Sequence, residues 1–158
     1  MTTLHLIRRA SGEFVPATDE DSAAAKRFRV GEISRVELKA MRNGGYFRKW
    51  WALVKIAYDM WAETMPAKEY HGRPVLPDFD RFRRDLTIMA GFFTPVWNAK
   101  GELRVEAESM AWSSMTEERF EALYSATINV ILSKILPDRG LTEQGLREWA
   151  GRVLEFAS

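Results

Sequence analysis

The sequence predicts one α+β domain over residues 1–158, in which a small antiparallel sheet and a β-hairpin pack against a central tryptophan-rich helix and C-terminal helices. Three observations support this prediction. The chain length suits about one domain. Short segments with the period-two alternation of strands occur among longer segments with the 3.6-residue period of helices. Hydrophobic residues make up 46% of the chain and charged residues 28%, an ordinary balance for a globular protein.

The N-terminal part is predicted to contain a hairpin, a short helix and a further strand. The segments LHLIRR and EFVPA lie on either side of a turn at Ser11-Gly12 and can pair across it. Thr18 is a candidate N-cap, and acids follow it before bases, which is the charge order that a helix dipole favours. We therefore expect a helix at about residues 18–28. The segment GEISRVELKAM again alternates between apolar and charged residues, which predicts a strand over residues 31–40 with one solvent-exposed face.

A helix over about residues 46–64 is predicted to be the central element. At 100° per residue, most of its apolar side chains, including three tryptophans, fall within an arc of about 120°. The polar stripe that remains is narrow, and a helix this apolar must be buried on most sides. The stripe consists of Arg48, Ala52, Lys55 and Asp59.

The middle of the chain is predicted to form a loop, a helix and a hairpin. Residues 65–78 contain three prolines and one glycine, which is typical of a loop. Asp78 is the candidate cap of a helix that Gly91 ends. The segments FFTPVWN and ELRVEAES predict a β-hairpin, with Gly101 at the positive-φ position of a three-residue connection.

Two helices are predicted to complete the fold. The first begins after its candidate cap Thr116 and ends before Pro137. The second covers the segment LTEQGLREWAGRVLEF, which has one apolar face. The side chains expected to point inward from this last helix are Leu146, Trp149, Ala150, Val153 and Phe156.

Several classes of site are excluded or unsupported by the composition. The chain has no cysteine, which excludes disulfides, zinc-thiolate sites and cysteine nucleophiles. The only histidines, His5 and His71, lack the spacing of metal ligands, and no phosphate loop or nucleophile elbow occurs. We expect no catalytic residue, metal or cofactor. No apolar run approaches the ~20 residues of a membrane span, and no signal peptide is evident, so the expected location is the cytoplasm, away from membranes.

The net charge of +1 is unevenly distributed along the chain. Residues 1–55 contain 11 Lys or Arg against 6 Asp or Glu, which gives +5. Residues 56–101 are neutral, and residues 102–158 contain 6 against 10, which gives −4. This division indicates a basic face for an anionic partner, two complementary faces that meet in a homodimer, or uneven surface charge without a role.

Basic residues near the central helix are candidates for binding nucleic acid. Neutralisation of phosphates by several Lys and Arg, with bases stacked on exposed aromatic rings, is how sequence-neutral single-strand binding works. Tyr46, Trp97 and Trp112 lie outside the predicted core stripes and are candidate stacking positions, although ordinary packing also explains each of them. The candidate phosphate-binding residues are Lys39, Arg42, Arg48, Lys49, Lys55, Arg81, Arg83 and Arg84.

A carboxylate-based nuclease site is an alternative use of the same region. Glu37 and Lys39 fall on one face of the predicted strand, and Asp19 or Asp21 could complete a site for a divalent ion. The pattern is short and common, and exposed charge without a catalytic role explains it equally.

Two resemblances to known families add a biological context. The segments LIRRASGEFVPATDED, VELKAMRN and FRKWWALVKIAYDMW, with the stretch from FRRDLTIMAG to YSATINVIL, resemble uncharacterised phage and prophage proteins of this size over nearly the whole chain. That resemblance implies a phage context and no particular activity. The strand with basic residues at its end, the Arg-Asn turn, the pattern Lys-x-Trp-Ala-Leu at residues 49–53 and the segment SMTEERFEALYSATI more remotely resemble the NinB/Orf recombination proteins.

The second resemblance implies a dimer that binds single-stranded DNA and assists loading of the host recombinase. The residues that it implies face DNA are Lys39, Arg42, Arg48 and Lys49. The sequence thus predicts a non-enzymatic phage protein that binds single-stranded DNA in the host cytoplasm as an accessory of recombination or replication. One alternative is a protein-interaction module that modulates or inhibits a host factor, such as a recombination or defence protein. A metal-dependent nuclease is the other.

Overall fold

The computed structural model of the protein describes residues 2–39, 44–110 and 115–157, with residues 156 and 157 described through the backbone alone. Strands form antiparallel pairs and five α-helices surround one hydrophobic core, which confirms the predicted α+β class. In chain order, the described elements are β1 (Leu6–Arg8), β2 (Phe14–Pro16), α1 (Asp19–Ala25), α2 (Gly44–Glu63), β3 (Glu69–Tyr70), β4 (Arg73–Pro74), α3 (Phe79–Met89), β5 (Phe93–Trp97), β6 (Leu103–Ala107), α4 (Glu117–Val130), a π-helical turn (Ile131–Ile135) and α5 (Glu143–Ala157).

The helices begin where local capping signals predict. Thr18, Asp78 and Thr116 each stand one residue before a helix, and each side chain accepts a hydrogen bond from a backbone N–H in the first turn. Such a bond satisfies one of the donors that a helix N-terminus otherwise leaves unpaired. Acidic residues also occupy the first turns of α1, α3 and α4, where the helix dipole favours them.

Helix α2 is the central element, as predicted. It packs against α3, α4, α5 and the π-helical turn. Trp50 is 1% exposed, and its indole N–H donates to the Thr127 hydroxyl of α4 at 3.1 Å. Ala52 is buried instead of lying on the polar stripe, because α2 has packing partners on more sides than its helical pattern implies. The polar positions of α2 that stay exposed are Arg48, Lys49, Lys55, Asp59 and Glu63.

The strands form three separate two-stranded hairpins among the described residues, where the sequence predicts one small sheet and one hairpin. β1 pairs with β2 as expected, with Ile7 opposite Val15. The predicted loop at residues 65–78 contains the short β3–β4 hairpin, which turns through His71 and Gly72 with φ of 49° and 72°.

The predicted strand at residues 31–40 is wrong for the part that the structure describes. Residues 32–39 are without regular structure and are exposed throughout, while residue 40 lies outside the described residues. A strand is stable only where a neighbouring strand pairs with its N–H and C=O groups. The alternating pattern is present, but the described chain supplies no such neighbour.

The β5–β6 hairpin has the predicted strands in antiparallel register, with Pro95 opposite Val105 and Trp97 opposite Leu103. Gly101 adopts a positive φ of 75°, as expected. The turn covers residues 98–102, and the Asn98 backbone N–H donates to the Glu102 carbonyl across it at 3.0 Å, which leaves the predicted three-residue loop at residues 99–101. The side-chain oxygen of Asn98 accepts hydrogen bonds from two backbone N–H groups within this turn, those of residues 100 and 102.

The two C-terminal helices form where predicted, but the inward face of α5 is narrower than expected. Leu146 and Ala150 are buried. Trp149 and Val153 each remain more than one third exposed, so their predicted inward orientation is wrong. The Phe156 side chain lies outside what the structure describes. Of the described helices, none combines the length and apolar composition that a bilayer-crossing segment requires.

A buried tyrosine in this helical core predicts that the stability of the protein decreases at alkaline pH. Tyr124 of α4 is 4% exposed, and the guanidinium of Arg147 lies 5.0 Å from the centre of its ring. Burial raises the pKa of the Tyr124 phenol, the charge of Arg147 opposes this, and the carboxylate of Glu121 adds to it. The folded state therefore holds the phenolic proton more tightly than the unfolded state does. At a pH above the ordinary tyrosine pKa of 10.0, unfolding consequently releases a proton.

We therefore expect the free energy of unfolding to decrease as the pH rises from below 10.0 toward the raised pKa of Tyr124 in the folded state. The substitution Tyr124→Phe should lessen this decrease. Melting temperatures of wild type and variant between about pH 8 and about pH 11 measure the effect. Tyr70→Phe, at an exposed position, is the matched control and should follow the wild type. An identical alkaline loss in wild type and Tyr124→Phe would contradict the assignment to this phenol.

Candidate nucleic-acid interface

The first turns of α2 present two exposed bases. Arg48 and Lys49 are both exposed, and neither forms an ion pair with another described residue. The helix begins with Gly44 and Gly45, and a Cβ built on either glycine would meet no side chain of another described element within 4 Å. No acidic residue lies in the first turn. The positive end of the helix dipole and the two side-chain charges thus have the same sign, which favours an anion.

A second group of bases lies in the chain segment that leads toward this helix. We call residues 26–39 the basic arm. All fourteen residues are exposed, and the arm carries five bases and two acids, for a net charge of +3. The bases are Lys26, Arg27, Arg29, Arg35 and Lys39.

Only the last of these bases was a candidate from the sequence. Lys39 lies 3.8 Å from the carboxylate of Glu37, and both side chains are 82% exposed, so this pair contributes little in water. The other four became candidates only when the structure placed the whole segment in solvent. The run of bases directly after α1 was the signal in the sequence that could have identified them as candidates. Arg42 lies outside the described residues.

Two further candidate bases each have a carboxylate partner four residues later on the same helix. Lys55 binds Asp59 at 2.9 Å, and its ammonium lies 5.0 Å from the ring centre of Tyr58. Arg81 binds Asp85 at 3.0 Å. Both pairs are largely exposed, so they hold the side chains only weakly, but each partner carboxylate reduces the local positive potential.

Arg83 and Arg84 join α3 to α1. Both guanidinium groups donate to the same carboxylate oxygen of Asp19, at 2.8 Å and 2.9 Å. The side chain of Arg83 is only 13% exposed, whereas that of Arg84 is 41% exposed. Because one arginine is nearly buried and both share one carboxylate, this cluster stabilises the packing of two helices. A role of these residues in binding nucleic acid stays a prediction.

Replacement of Asp19 by alanine tests this structural role. We expect the variant to lose about 1–3 kcal/mol of unfolding free energy, because it leaves a nearly buried guanidinium without its closest carboxylate. Urea denaturation measures the loss. Asp85→Ala breaks the exposed pair with Arg81 and should cost less than about 1 kcal/mol. Equal losses in the two variants would show that the Asp19 cluster is no more important than a surface pair.

The candidate stacking aromatics differ in their accessibility. Tyr46 is half-buried and stacks on Phe120, with ring centres 4.5 Å apart and planes 7° from parallel, so one of its faces is occupied. Trp97 is 74% exposed at the end of β5 and has room for a base on its ring. Trp112 lies outside the described residues.

Two of the acids proposed for a metal site, Asp19 and Asp21, have structural partners instead. Asp21 is buried and accepts hydrogen bonds from the Thr18 hydroxyl at 2.6 Å and from the His5 backbone N–H at 2.8 Å. Asp19 is held by two arginines, and Glu37 lies in the exposed arm. Across the described ranges, no group of three or more potential metal ligands occurs. The nuclease alternative therefore gains no support from these side chains.

The comparison with protein-family models identified a family for this chain. The model of a family described as "Protein of unknown function (DUF1367)" matches residues 1–75 and 68–156, which together cover nearly the whole chain. Comparison with curated proteins and with solved structures gave no significant match.

Proposed function

The chain belongs to the DUF1367 family of proteins of unknown function, and we propose that it is a non-enzymatic protein that binds single-stranded DNA. The proposed surface consists of the basic arm and the first two turns of α2, including Arg42 between them. The observation that supports it most strongly is the exposure of Arg48 and Lys49 without carboxylate partners in the described part of the chain.

The chemistry of this surface suits a chain of phosphates. Arginine can donate two parallel hydrogen bonds to one phosphate, and lysine supplies a compact charge. The arm carries a net charge of +3 on an exposed segment of fourteen residues, and Arg48 and Lys49 of α2 add two further positive charges. A polyanion that binds along such a path releases condensed counterions, and this release drives association without sequence specificity.

A single strand fits this surface better than a duplex. Proteins that read duplex DNA place a rigid helix or a two-stranded ribbon in a groove. Here the exposed bases lie on an irregular arm and at one end of a largely buried helix, so no described helix presents a continuous basic face. Unpaired bases also have free faces, and Trp97 offers a largely exposed ring on which one can stack.

The phage context and the cellular role are part of this proposal. The resemblance to phage proteins of this size supports expression in the host cytoplasm. The pattern at residues 49–53, which remotely resembles that of the NinB/Orf proteins, supports a role as an accessory of recombination or replication. It includes Lys49, one of the exposed bases of the proposed surface.

Fluorescence anisotropy with labelled oligonucleotides of about 30 nucleotides tests the proposal. We expect the single strand to bind more tightly than the duplex of the same sequence. Mg²⁺ or Mn²⁺ should leave both oligonucleotides intact, and cleavage would instead favour the nuclease alternative. Absence of binding to the single strand at about 50 mM salt, where phosphate contacts are strong, would overturn the proposal.

A protein-interaction module is the second candidate, and exposed apolar side chains favour it. Val30 and Ile33 in the arm and Trp97 and Leu103 in the β5–β6 hairpin are all more than half exposed. Such side chains are typical of surfaces that another protein covers. Capture of a specific host recombination or defence protein that survives nuclease treatment, by a variant that no longer binds DNA, would distinguish this function from the first.

A further inference from the structure

The basic arm has the sequence of a β-strand but pairs with no strand. Its residues 35–39 alternate between charged and apolar side chains as strand residues do, and within the described chain no backbone hydrogen bond joins residues 33–39 to another segment. Four large apolar side chains are exposed along it. They are Val30 at 106%, Ile33 at 98%, Val36 at 67% and Leu38 at 54%. Both the unpaired backbone and the apolar surface would be stabilised by addition to the edge of a sheet.

The β5–β6 hairpin provides such an edge. β6 pairs with β5 alone, so its other edge has no strand partner in the described structure. Helix α3 packs against β6, and residues 103–106 of the strand remain exposed beside it. Pro95 deprives β5 of one backbone donor, which makes β6 the better template for a further strand. One face of the hairpin is apolar and exposed, because the register of β5 and β6 places the apolar side chains of both strands on the same face. The large residues on that face are Phe93, Trp97, Leu103 and Val105, which are 44–74% exposed.

The charges of the arm and the hairpin are complementary. The arm carries +3, whereas residues 93–108 contain two bases and three acids, for −1. Glu106 lies on β6, is exposed and forms no ion pair with another described residue, so Arg35 or Lys39 of an added strand could pair with it. Opposite charges across neighbouring strands stabilise a sheet, and they also favour one orientation of the added strand.

We propose that the chain forms a homodimer by exchanging arms, with the arm of each copy added as a strand to β6 of the other copy. Every copy carries both an arm and a free β6 edge, so each of two copies can bind the arm of the other. This reciprocal exchange leaves no arm or edge unpaired and therefore forms a closed dimer. Period-two alternation puts Val36 and Leu38 on the side that meets the hairpin face. Arg35, Glu37 and Lys39 lie on the opposite side, so exchange leaves bases of the arm in solvent.

Sedimentation velocity over a range of protein concentrations tests the proposal without reference to DNA. We expect a dimer for the wild type and a monomer for Val36→Asp combined with Leu38→Asp, because charges on the docking side oppose burial. Circular dichroism should show unchanged helix content, since both side chains are exposed in the single chain. The matched control, Val75→Asp combined with Leu76→Asp, changes two exposed apolar residues outside the arm and should remain dimeric.

A second measurement identifies the docked segment, because the natural chain has no cysteine. Leu38→Cys and Leu103→Cys are prepared as separate variants, mixed, and treated with a short thiol-specific cross-linker. We expect a covalent heterodimer that forms much faster than in the mixture with Val36→Asp added to the arm variant. A monomeric wild type at all concentrations overturns the proposal, and so does a dimer that persists in the arm variant of the previous experiment.

Discussion

Replacement of Arg42, Arg48 and Lys49 together by alanine is expected to abolish binding of single-stranded DNA while the protein stays folded. Arg48 and Lys49 are exposed and have no carboxylate partner among the described residues, so their removal costs the fold little. The double change at Arg48 and Lys49 alone should weaken binding by about an order of magnitude, since each phosphate contact contributes separately. Anisotropy titrations measure the affinity, and circular dichroism confirms that the helices persist.

The matched control for this experiment removes the same charge elsewhere. Lys134 and Arg139 are exposed bases near the end of α4, outside the proposed surface. Their joint replacement by alanine lowers the net charge as much as the double change in α2 does, so it tests whether position or total charge determines affinity. Full affinity in the triple variant, or equal losses in the two double variants, would contradict the assignment of this surface.

Trp50→Ala is expected to destabilise the fold more than Asp19→Ala or any change at the surface. Trp50 is 1% exposed at the centre of α2, and its indole donates to the Thr127 hydroxyl of α4. Truncation of such a side chain costs about 3–5 kcal/mol through lost burial and the cavity left behind. Since a domain is typically stable by only about 5–15 kcal/mol, the variant should be partly unfolded at moderate temperature. Urea denaturation of wild type and variant measures the difference.

Trp149→Ala is the matched control for that change. Trp149 is a tryptophan on a helix as well, but it is more than one third exposed, so its truncation leaves no closed cavity. We expect a loss well below that of Trp50→Ala. Comparable losses at the two positions would mean that α2 is not the centre of the core.

Most helix positions could be predicted from the sequence because their signals are local. Thr18, Asp78 and Thr116 mark helix starts by capping, which involves residues three apart. The hairpin around Gly101 is likewise determined by a turn and its two flanking strands. The central position of α2 followed from its apolar composition, since so wide an apolar arc requires several packing partners.

The errors concern features that depend on distant parts of the chain. The strand over residues 31–39 requires a partner strand, and the alternation of side chains does not reveal whether one exists. The burial of Ala52 and the exposure of Trp149 depend on which helices pack against α2 and α5, which the helical period does not specify.

The same distinction applies to the candidate site. Exposure of Arg48 and Lys49 followed from their places on the helix. The capture of Arg83 and Arg84 by Asp19 did not, because the partners are 64 and 65 residues apart in sequence. A cluster of three arginines therefore suggested a phosphate site from sequence, while the structure gives two of them a role in joining α3 to α1.

The salt dependence of single-strand binding tests the central claim most directly, because its slope counts phosphate contacts. The logarithm of the binding constant is plotted against the logarithm of salt concentration between about 50 mM and about 200 mM. We predict a steep negative slope for the wild type, and a slope smaller by about 1.4 for the double change at Arg48 and Lys49, since each contact to a single strand contributes about 0.7. A slope that is the same in wild type and double variant, while the Lys134 and Arg139 control changes it, would contradict the claim.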